Sequence, residues 1–400
     1  MRRLAVATLR ALTVAGRYAM TGPLVDAAVA CLEPMDGRER DRALARLLPQ
    51  ATRAYGSLAE RCRRALELAE RCSDALAAAR ARLGLALTVS LDEARVALPS
   101  LLEAFEEADD AYGVIEVCLE FGGRLALAGH YDDAEALFGR CLRQGQRLGS
   151  SLDVADAHDG HALVALLRGR LDDAERWAEQ ALERYRVEGA HLRVGGAVTT
   201  LGWIARVRHA PDAVERTEEG VRWFEAVGLG DTAAVTLTRL HALFVTGRLD
   251  AVMAQAASAL DHLGGVEARH IGADIARLMI ARAALRTGAS DRALGLLRLM
   301  VRPDELADRP RIAADAAAAV AEWLVAEGRT GEARTLLGAA LRHPGLDIEA
   351  RQEAETLAAR LPDGLCDGAG ERLTTAALAA ALHQVVDGQP LTSGTGTAEG

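Results

Sequence analysis

The sequence predicts an all-α solenoid built from antiparallel helix hairpins, and three observations predict it. First, a turn-like motif recurs. GHYDDA from Gly129 and GRLDDA from Gly169 are followed by the weaker GRLDAV, GASDRA and GRTGEA and by a degraded HAPDAV; the motifs place anchors at Ala134, Ala174, Ala213, Val252, Ala293 and Ala333, 39 to 41 residues apart. Second, eleven or twelve residues before each anchor stands a small residue: Gly122, Ala162, Gly202, His241, Ala281 and Ala321, with only the histidine out of class. Third, eight residues after each anchor comes an aliphatic residue: Leu142, Leu182, Val221, Leu260, Val301 and Leu341. A small residue lets two helices approach closely. An apolar residue seven or eight places along a 3.6-residue helix returns to the anchor's face.

Each unit therefore reads as helix, tight turn, helix. Glycine ends the first helix in a left-handed conformation, and the aspartates that follow are expected to cap and charge the second. One such hairpin is too small to bury its own apolar stripe, so it must stack on its neighbours.

These residues resemble the tetratricopeptide repeats: a small residue in the middle of the first helix, a G-x-Y/L-x-x-A turn, and a small residue near the middle of the second. Here they are Gly122, the turn Gly129 to Ala134 and Cys141 in one repeat, and Ala162, Gly169 to Ala174 and Ala181 in the next. The resemblance implies a right-handed superhelix and spans roughly residues 110 to 345, more loosely 40 to 110. The family's usual period is about 34 residues. The additional residues of each unit are expected in the connection to the next hairpin, in stretches such as RLGSSLDVADAH and HLGGVEARHIGAD.

In chain order, residues 1–55 form an irregular N-terminal helical cap, in which Pro23 and Pro34 bracket the helix LVDAAVACLE and Asp36 starts another running to Leu48. The repeat array occupies residues 56–345. Its early helices are SLAERCRRALELAERC, SDALAAARARLGLAL and SLDEARVALPSLLEAFEEA, the last bent or ended early by Pro99. Residues 346–387 supply C-terminal capping helices, with a flexible link at 363–370 and a short helix from Thr374 to Val386. Residues 388–400 form a disordered tail.

Composition narrows the function. Hydrophobic residues make up 50% of the chain and aromatics only 4%, which favours helix over sheet. Lysine and asparagine are absent, which excludes a Walker-type phosphate loop, a Schiff-base lysine and N-glycosylation. A net charge of −10 opposes a nucleic-acid grip. Arg38 to Arg46 mixes arginine with acid and reads as a solvated helix face. Cys31, Cys62, Cys72, Cys118, Cys141 and Cys366 show no C-x-x-C spacing; Cys141 takes a place often filled by alanine and reads as a small buried residue. Reduced cysteines indicate the cytoplasm. Arg10 interrupts the N-terminal apolar run too soon for a signal peptide, and no stretch is long enough for a membrane helix.

Several motifs compete as sites. Gly228 to Ala233, GLGDTA, matches G-x-G-x-x-A, but no strand precedes it and it reads as an inter-hairpin loop. His158 and His161, with Asp156 and Asp159, sit on one helix face but lack a third ligand, so packing is favoured over metal binding. No catalytic motif, cofactor or metal site is expected.

In the repeat family, the first helices line a groove that grips a peptide or partner helix. The residue after each mid-helix small position is expected to face it: Gly123, Leu163, Trp203, Ala242, Arg282 and Glu322. Leu163, Trp203, Arg206, Arg282 and Glu322 are the candidate partner-binding residues. Trp203 with Arg206 offers an aromatic and a cation of the kind enriched at binding hot spots, although Trp203 equally suits a place between adjacent hairpins. The closing stretch also resembles the end of the repeat arm in bacterial STAND regulators, including LuxR-like proteins, through Leu336–Leu337, His343–Pro344 and the stripe Ala354, Leu357, Leu361. The resemblance implies a protein- or peptide-binding arm for sensing or docking in a bacterial regulatory system. The alternative is a scaffold that self-assembles into a homo-oligomer with an idle groove.

Overall fold

The computed structural model describes residues 18–50, 57–226, 228, 233–263, 271–361, 373–389 and 391. The N-terminal leader stretch, most of GLGDTA, the 363–370 link with Cys366 and nearly all of the 388–400 tail lie outside them. Among the described residues there are twenty α-helices, a single 3-10 turn and no strand, so the protein is all-α as its periodicity predicts. The chain divides into two compact units, Met1–Ala126, Tyr131–Leu166 and Arg170–Val235 in the first, and Leu127–His130, Leu167–Gly169 and Thr236–Gly400 in the second.

The first unit begins with α1 (Tyr18–Leu32) and α2 (Arg38–Leu47), followed by α3 (Leu58–Arg71), α4 (Ala75–Ala86) and α5 (Leu91–Glu107). Pro23 lies within α1, not before it. Val25, Val29, Leu44 and Leu48 close over Ala65, Leu68, Ala77 and Ala81 to make a common core for α1 to α4. Ser57 and Ser90 start α3 and α5 with capping boxes completed by Glu60 and Glu93. Pro99 neither ends nor shortens α5, which continues to Glu107.

Three regular hairpins follow: α6 (Ala111–Ala128) with α7 (Tyr131–Leu148), α8 (Ser151–Leu167) with α9 (Leu171–Val187), and α10 (His191–Val207) with α11 (Ala213–Ala226). The six turns inside hairpins along the chain are all left-handed: φ is 101° at Gly129, 76° at Gly169, 56° at His209, 70° at Gly247, 81° at Gly288 and 77° at Gly328. His209 thus fills the glycine place of the degraded motif. The connections between hairpins are equally tight, with left-handed Asp109, Gly149 and Gly189. In these regular hairpins that corrects the expectation that connections absorb the longer period: RLGSSLDVADAH is helix on both sides of Gly149–Ser150, and the additional residues extend helices that reach 17 or 18 residues. Most of HLGGVEARHIGAD lies outside the described residues. The aspartates also act differently from expected. Asp172 and Asp173 lie in the first turn of α9 and complement its dipole, while the N-cap is Arg170, which makes no side-chain cap bond.

Every anchor is buried, from Ala134 to Ala333. The small positions explain why. A Cβ on Gly122 would come within 2.8 Å of the Phe138 ring, and one on Gly160 within 2.3 Å, so this α7 ring is sandwiched between the first helices α6 and α8. Neighbouring repeats are also tied by arginine–carboxylate pairs about one period apart, Arg95 to Asp133 at 3.2 Å and Arg170 to Glu135 at 3.1 Å among them.

The second unit continues with α12 (Ala233–Val245), α13 (Leu249–His262), α14 (Ile271–Arg286), α15 (Ser290–Met300), the one-turn α16 (Pro303–Leu306), α17 (Pro310–Ala326) and α18 (Thr330–Arg342). It closes with α19 (Ile348–Ala358) and α20 (Thr375–Val386). The alanine-rich α17 is buried on nearly all sides. Leu378, Leu382, Val385 and Val386 of α20 are buried in the same core, so this helix docks instead of standing free. Asp274 and Arg277, almost wholly buried, pair at 2.7 Å, and Arg309 at the head of α17 joins Asp274 at 2.7 Å.

Candidate functional site

Along each first helix of the regular hairpins, burial repeats with one stripe left open. In α6 it includes Glu116, Glu120 and Gly123; in α8, Asp156, Asp159 and Leu163; in α10, Gly196, Thr200 and Trp203. Most of the positions between them are buried, among them Val117, Cys118 and Phe121 in α6, Ala157, His158 and Ala162 in α8, and Ala197, Val198 and Leu201 in α10. Leu163 and Trp203 therefore lie half-buried on the open stripe. Arg206 turns toward the second helix of its own hairpin, where its guanidinium donates to the Thr217 hydroxyl at 3.4 Å.

The α8 stripe holds an acidic pair whose consequences exceed what the sequence showed. Asp156 accepts from the Tyr185 hydroxyl at 2.7 Å and from Arg193 of α10 at 2.6 Å. Asp159 has no such donor: its Oδ1 is buried without a hydrogen-bond partner. Burial, reinforced by the charge of Asp156 and opposed by Arg193, pushes the Asp159 carboxyl up to about 7. His158 and His161 face away from this pair, both against Trp177, with ring centroids at 4.8 Å and 5.5 Å. Burial drives His158 down to about 4 and lowers His161, so desolvation disfavours the charged form of both packing rings. Cys141 is fully buried, as its small-residue place implies, and burial raises its thiol far above the usual range.

In the second unit the structure brings Arg282 of α14 and Glu322 of α17 together, with Arg282 Nε 3.5 Å from a Glu322 oxygen. They are joined by residues that the sequence reading passed over. Arg286, one turn beyond Arg282, donates to Glu322 at 2.8 Å and lies 5.0 Å over the Phe244 ring. Glu353 of α19 pairs with Arg282 and approaches Arg286 at 3.7 Å. Glu349, one turn before Glu353, meets His241 of α12 at 2.8 Å. At the head of α19, Asp347 caps the helix by accepting from Ala350 N at 2.8 Å and receives Arg311 of α17 at 2.7 Å. Asp315 lies behind this pair, 3.6 Å from Arg311. Burial first and the Asp347 charge second raise its carboxyl well above the usual range, against Arg311 and Arg282. Arg282 is only 8% exposed; its desolvation opposes the charge, but the surrounding carboxylates of Glu353 and Glu322 outweigh it and raise its pKa.

His241 is thereby explained, and its assignment as a small core position is corrected. The neighbouring Leu240, 1% exposed, fills the core, while His241 stands one period before Arg282 and two before Glu322 on the open stripe. The core place twelve residues before Val252 belongs to Leu240, a leucine where the other repeats have glycine or alanine, which shifts His241 one place onto the stripe. The sequence signals α19 itself through the stripe Ala354, Leu357 and Leu361, but not the ion pairs of Glu349 and Glu353.

Among the described residues no group of three or more His, Cys, Asp or Glu is placed to hold a metal ion, and no helix is long and apolar enough to cross a membrane. In comparison with known proteins, residues 121–186 match the family model of the tetratricopeptide repeat, a span that holds the C-terminal part of α6, all of α7 and α8, and nearly all of α9. No curated protein matches the sequence. Such repeats generally mediate protein–protein interaction and are generally non-catalytic. The match, the left-handed turns at one period and the buried anchors together support a tetratricopeptide-like helical repeat protein.

Proposed function

We propose that this chain is a non-catalytic protein- or peptide-binding module, and that it serves as the sensing or docking arm of a bacterial regulatory system in the cytoplasm. One observation carries the binding reading. In the first unit the core positions keep their burial from repeat to repeat, whereas the half-buried stripe changes from Gly123 through Leu163 to Trp203; in the second unit the equivalent positions are His241, Arg282 and Glu322. Residues that only hold a solenoid together have no reason to vary so widely on one face, while selective contact requires it. The regulatory role rests on the resemblance of the closing stretch to STAND-type repeat arms.

The experiment is a peptide array probed with the purified chain and with a Trp203→Ala/Arg206→Ala variant of unchanged helical content. Loss of most bound peptides, by tenfold or more in signal, is the expected result. An unchanged binding pattern overturns the role given to this stripe.

A further inference from the structure

Three buried or half-buried carboxylates of the C-terminal segment, Asp347, Glu349 and Glu353, reach three different first helices of the second unit. Asp347 takes Arg311 of α17, Glu349 takes His241 of α12, and Glu353 takes Arg282 and Arg286 of α14. A helix that merely continued the array would stack on its immediate neighbours. Helix α19 does stack there, with Ala350 packed against Ala314 of α17 and Leu341 of α18 and Arg351 donating to the Leu341 carbonyl at 2.9 Å, but Glu349 and Glu353 also reach beyond them to His241 of α12 and to Arg282 and Arg286 of α14, on the stripe that the repeat pattern assigns to partner contact.

Its grip differs from that of the repeat helices. The residues it buries are Ala350, Ala354 and Ala358, with Leu357 packed only in part, whereas α17 buries nearly its whole surface. Alanine faces remove little apolar area from water, so the ion pairs decide where this helix rests. The site beneath it presents the guanidiniums of Arg282 and Arg286 and the His241 ring, with Glu322 positioning both arginines. Glu349 and Glu353 are four residues apart, one helical turn or about 6 Å along the axis, and present their carboxylates on one side.

We propose that α19 is an internal occupant of the binding stripe of the second unit, and that the partner displacing it is an acidic helical segment with carboxylates at positions i and i+4. This deepens the binding reading and rests on it. Asp347, held by the buried Arg311 and capping the helix, is the pivot. On release His241, Arg282 and Arg286 are exposed as a row matched to the incoming carboxylates. The chain then exists in two states, self-occupied and partner-bound, and a partner's apparent affinity is reduced by the fraction of molecules that are self-occupied.

The test uses the full chain, a Glu349→Gln/Glu353→Gln variant, and a labelled peptide of residues 346–361 added in trans. Hydrogen exchange on wild type comes first, since it requires no substitution. Amides of 348–358 are expected to exchange at least tenfold faster than those of α17 and α18. In the variant they lose most remaining protection, and the peptide binds it at least tenfold more tightly than it binds wild type. A peptide carrying the same two glutamines does not bind. If 348–358 is as protected as α17 in wild type, and stays so in the variant, α19 is a fixed member of the fold and the proposal fails, while the Trp203 stripe remains to be judged by its own array. If the helix is released but the peptide does not bind, the proposal fails together with the assignment of this face as a binding surface.

Discussion

Asp159 and Phe138 show how single residues in the regular hairpins set measurable properties. The Asp159 carboxyl titrates near 7 in the folded chain, above its ordinary value of 3.8. Between those values the folded chain keeps a proton that the unfolded chain has released, so the group's contribution to stability is full below about pH 4. It is lost progressively as pH rises to about 7. Asp159→Asn carries no such loss. Relative to wild type it is expected to gain about 1–3 kcal/mol between pH 4.5 and pH 8, measured by urea unfolding at both. Arg193, Asp156 and Tyr185 surround the group and are left unchanged. Phe138 supports a second expectation. Its ring fills the space left by Gly122 and Gly160, so Gly160→Ala overpacks the joint and costs about 1–3 kcal/mol. Thermal unfolding of the single variant and of Gly160→Ala/Phe138→Leu tests this; the smaller side chain should recover part of the loss, and failure to do so places the strain elsewhere.

At the scale of elements, charge is used in two ways, and the two differ in consequence. Pairs such as Arg95 with Asp133 join exposed edges of neighbouring hairpins, and Asp133→Ala is expected to cost about 1 kcal/mol or less. Asp274 sits between the buried guanidiniums of Arg277 and Arg309. Asp274→Ala leaves both without their carboxylate and is expected to cost about 3–5 kcal/mol. Urea unfolding of the two variants side by side checks the ratio; equal effects would mean that the buried network contributes no more than the surface pairs. Helix identity and most helix ends were legible from sequence, because the glycine turns and serine capping boxes act within a few residues. The length of α5 was not: Pro99 is accommodated within a helix whose Leu101, Leu102 and Phe105 are buried beyond it, and packing outweighs the lost backbone bond. Asp172 and Asp173 charge the start of α9 as their place implies, but its cap position is taken by Arg170 through backbone geometry alone.

For the whole molecule, a chain of hairpins that each bury their apolar face on neighbours transmits a local loss over short distances. Trp177, Trp203 and Trp223 belong to the first unit and Trp323 to the second. In variants retaining only Trp177 or only Trp323, Asp274→Ala is expected to lower the urea midpoint reported by Trp323 more than that reported by Trp177. Identical shifts would show a single cooperative transition along the chain. The candidate site was legible in part for the same reason of range. Trp203, Arg282 and Glu322 fall at fixed offsets within a repeat and could be found from the period. Their chemical surroundings could not, since Glu349 meets His241 across 108 residues and Glu353 meets Arg282 across 71.

The amino-acid sequence by itself determined that the chain is helical, that its hairpins recur every forty residues or so, and that the six anchors become core, as do Leu182, Leu260 and Val301, whereas Leu142, Val221 and Leu341 are only half-buried. Those outcomes depend on turn conformation, helical periodicity and the volume of side chains a few residues apart, all of which are written locally. Only the tertiary structure decided that the longer period lengthens the helices of the regular hairpins, that Asp159 Oδ1 is left without a donor, and that a C-terminal helix rests on Arg282, Arg286 and His241. Each of these depends on which distant surfaces meet, and burial and charge pairing at such meetings are set by the folded neighbourhood as a whole.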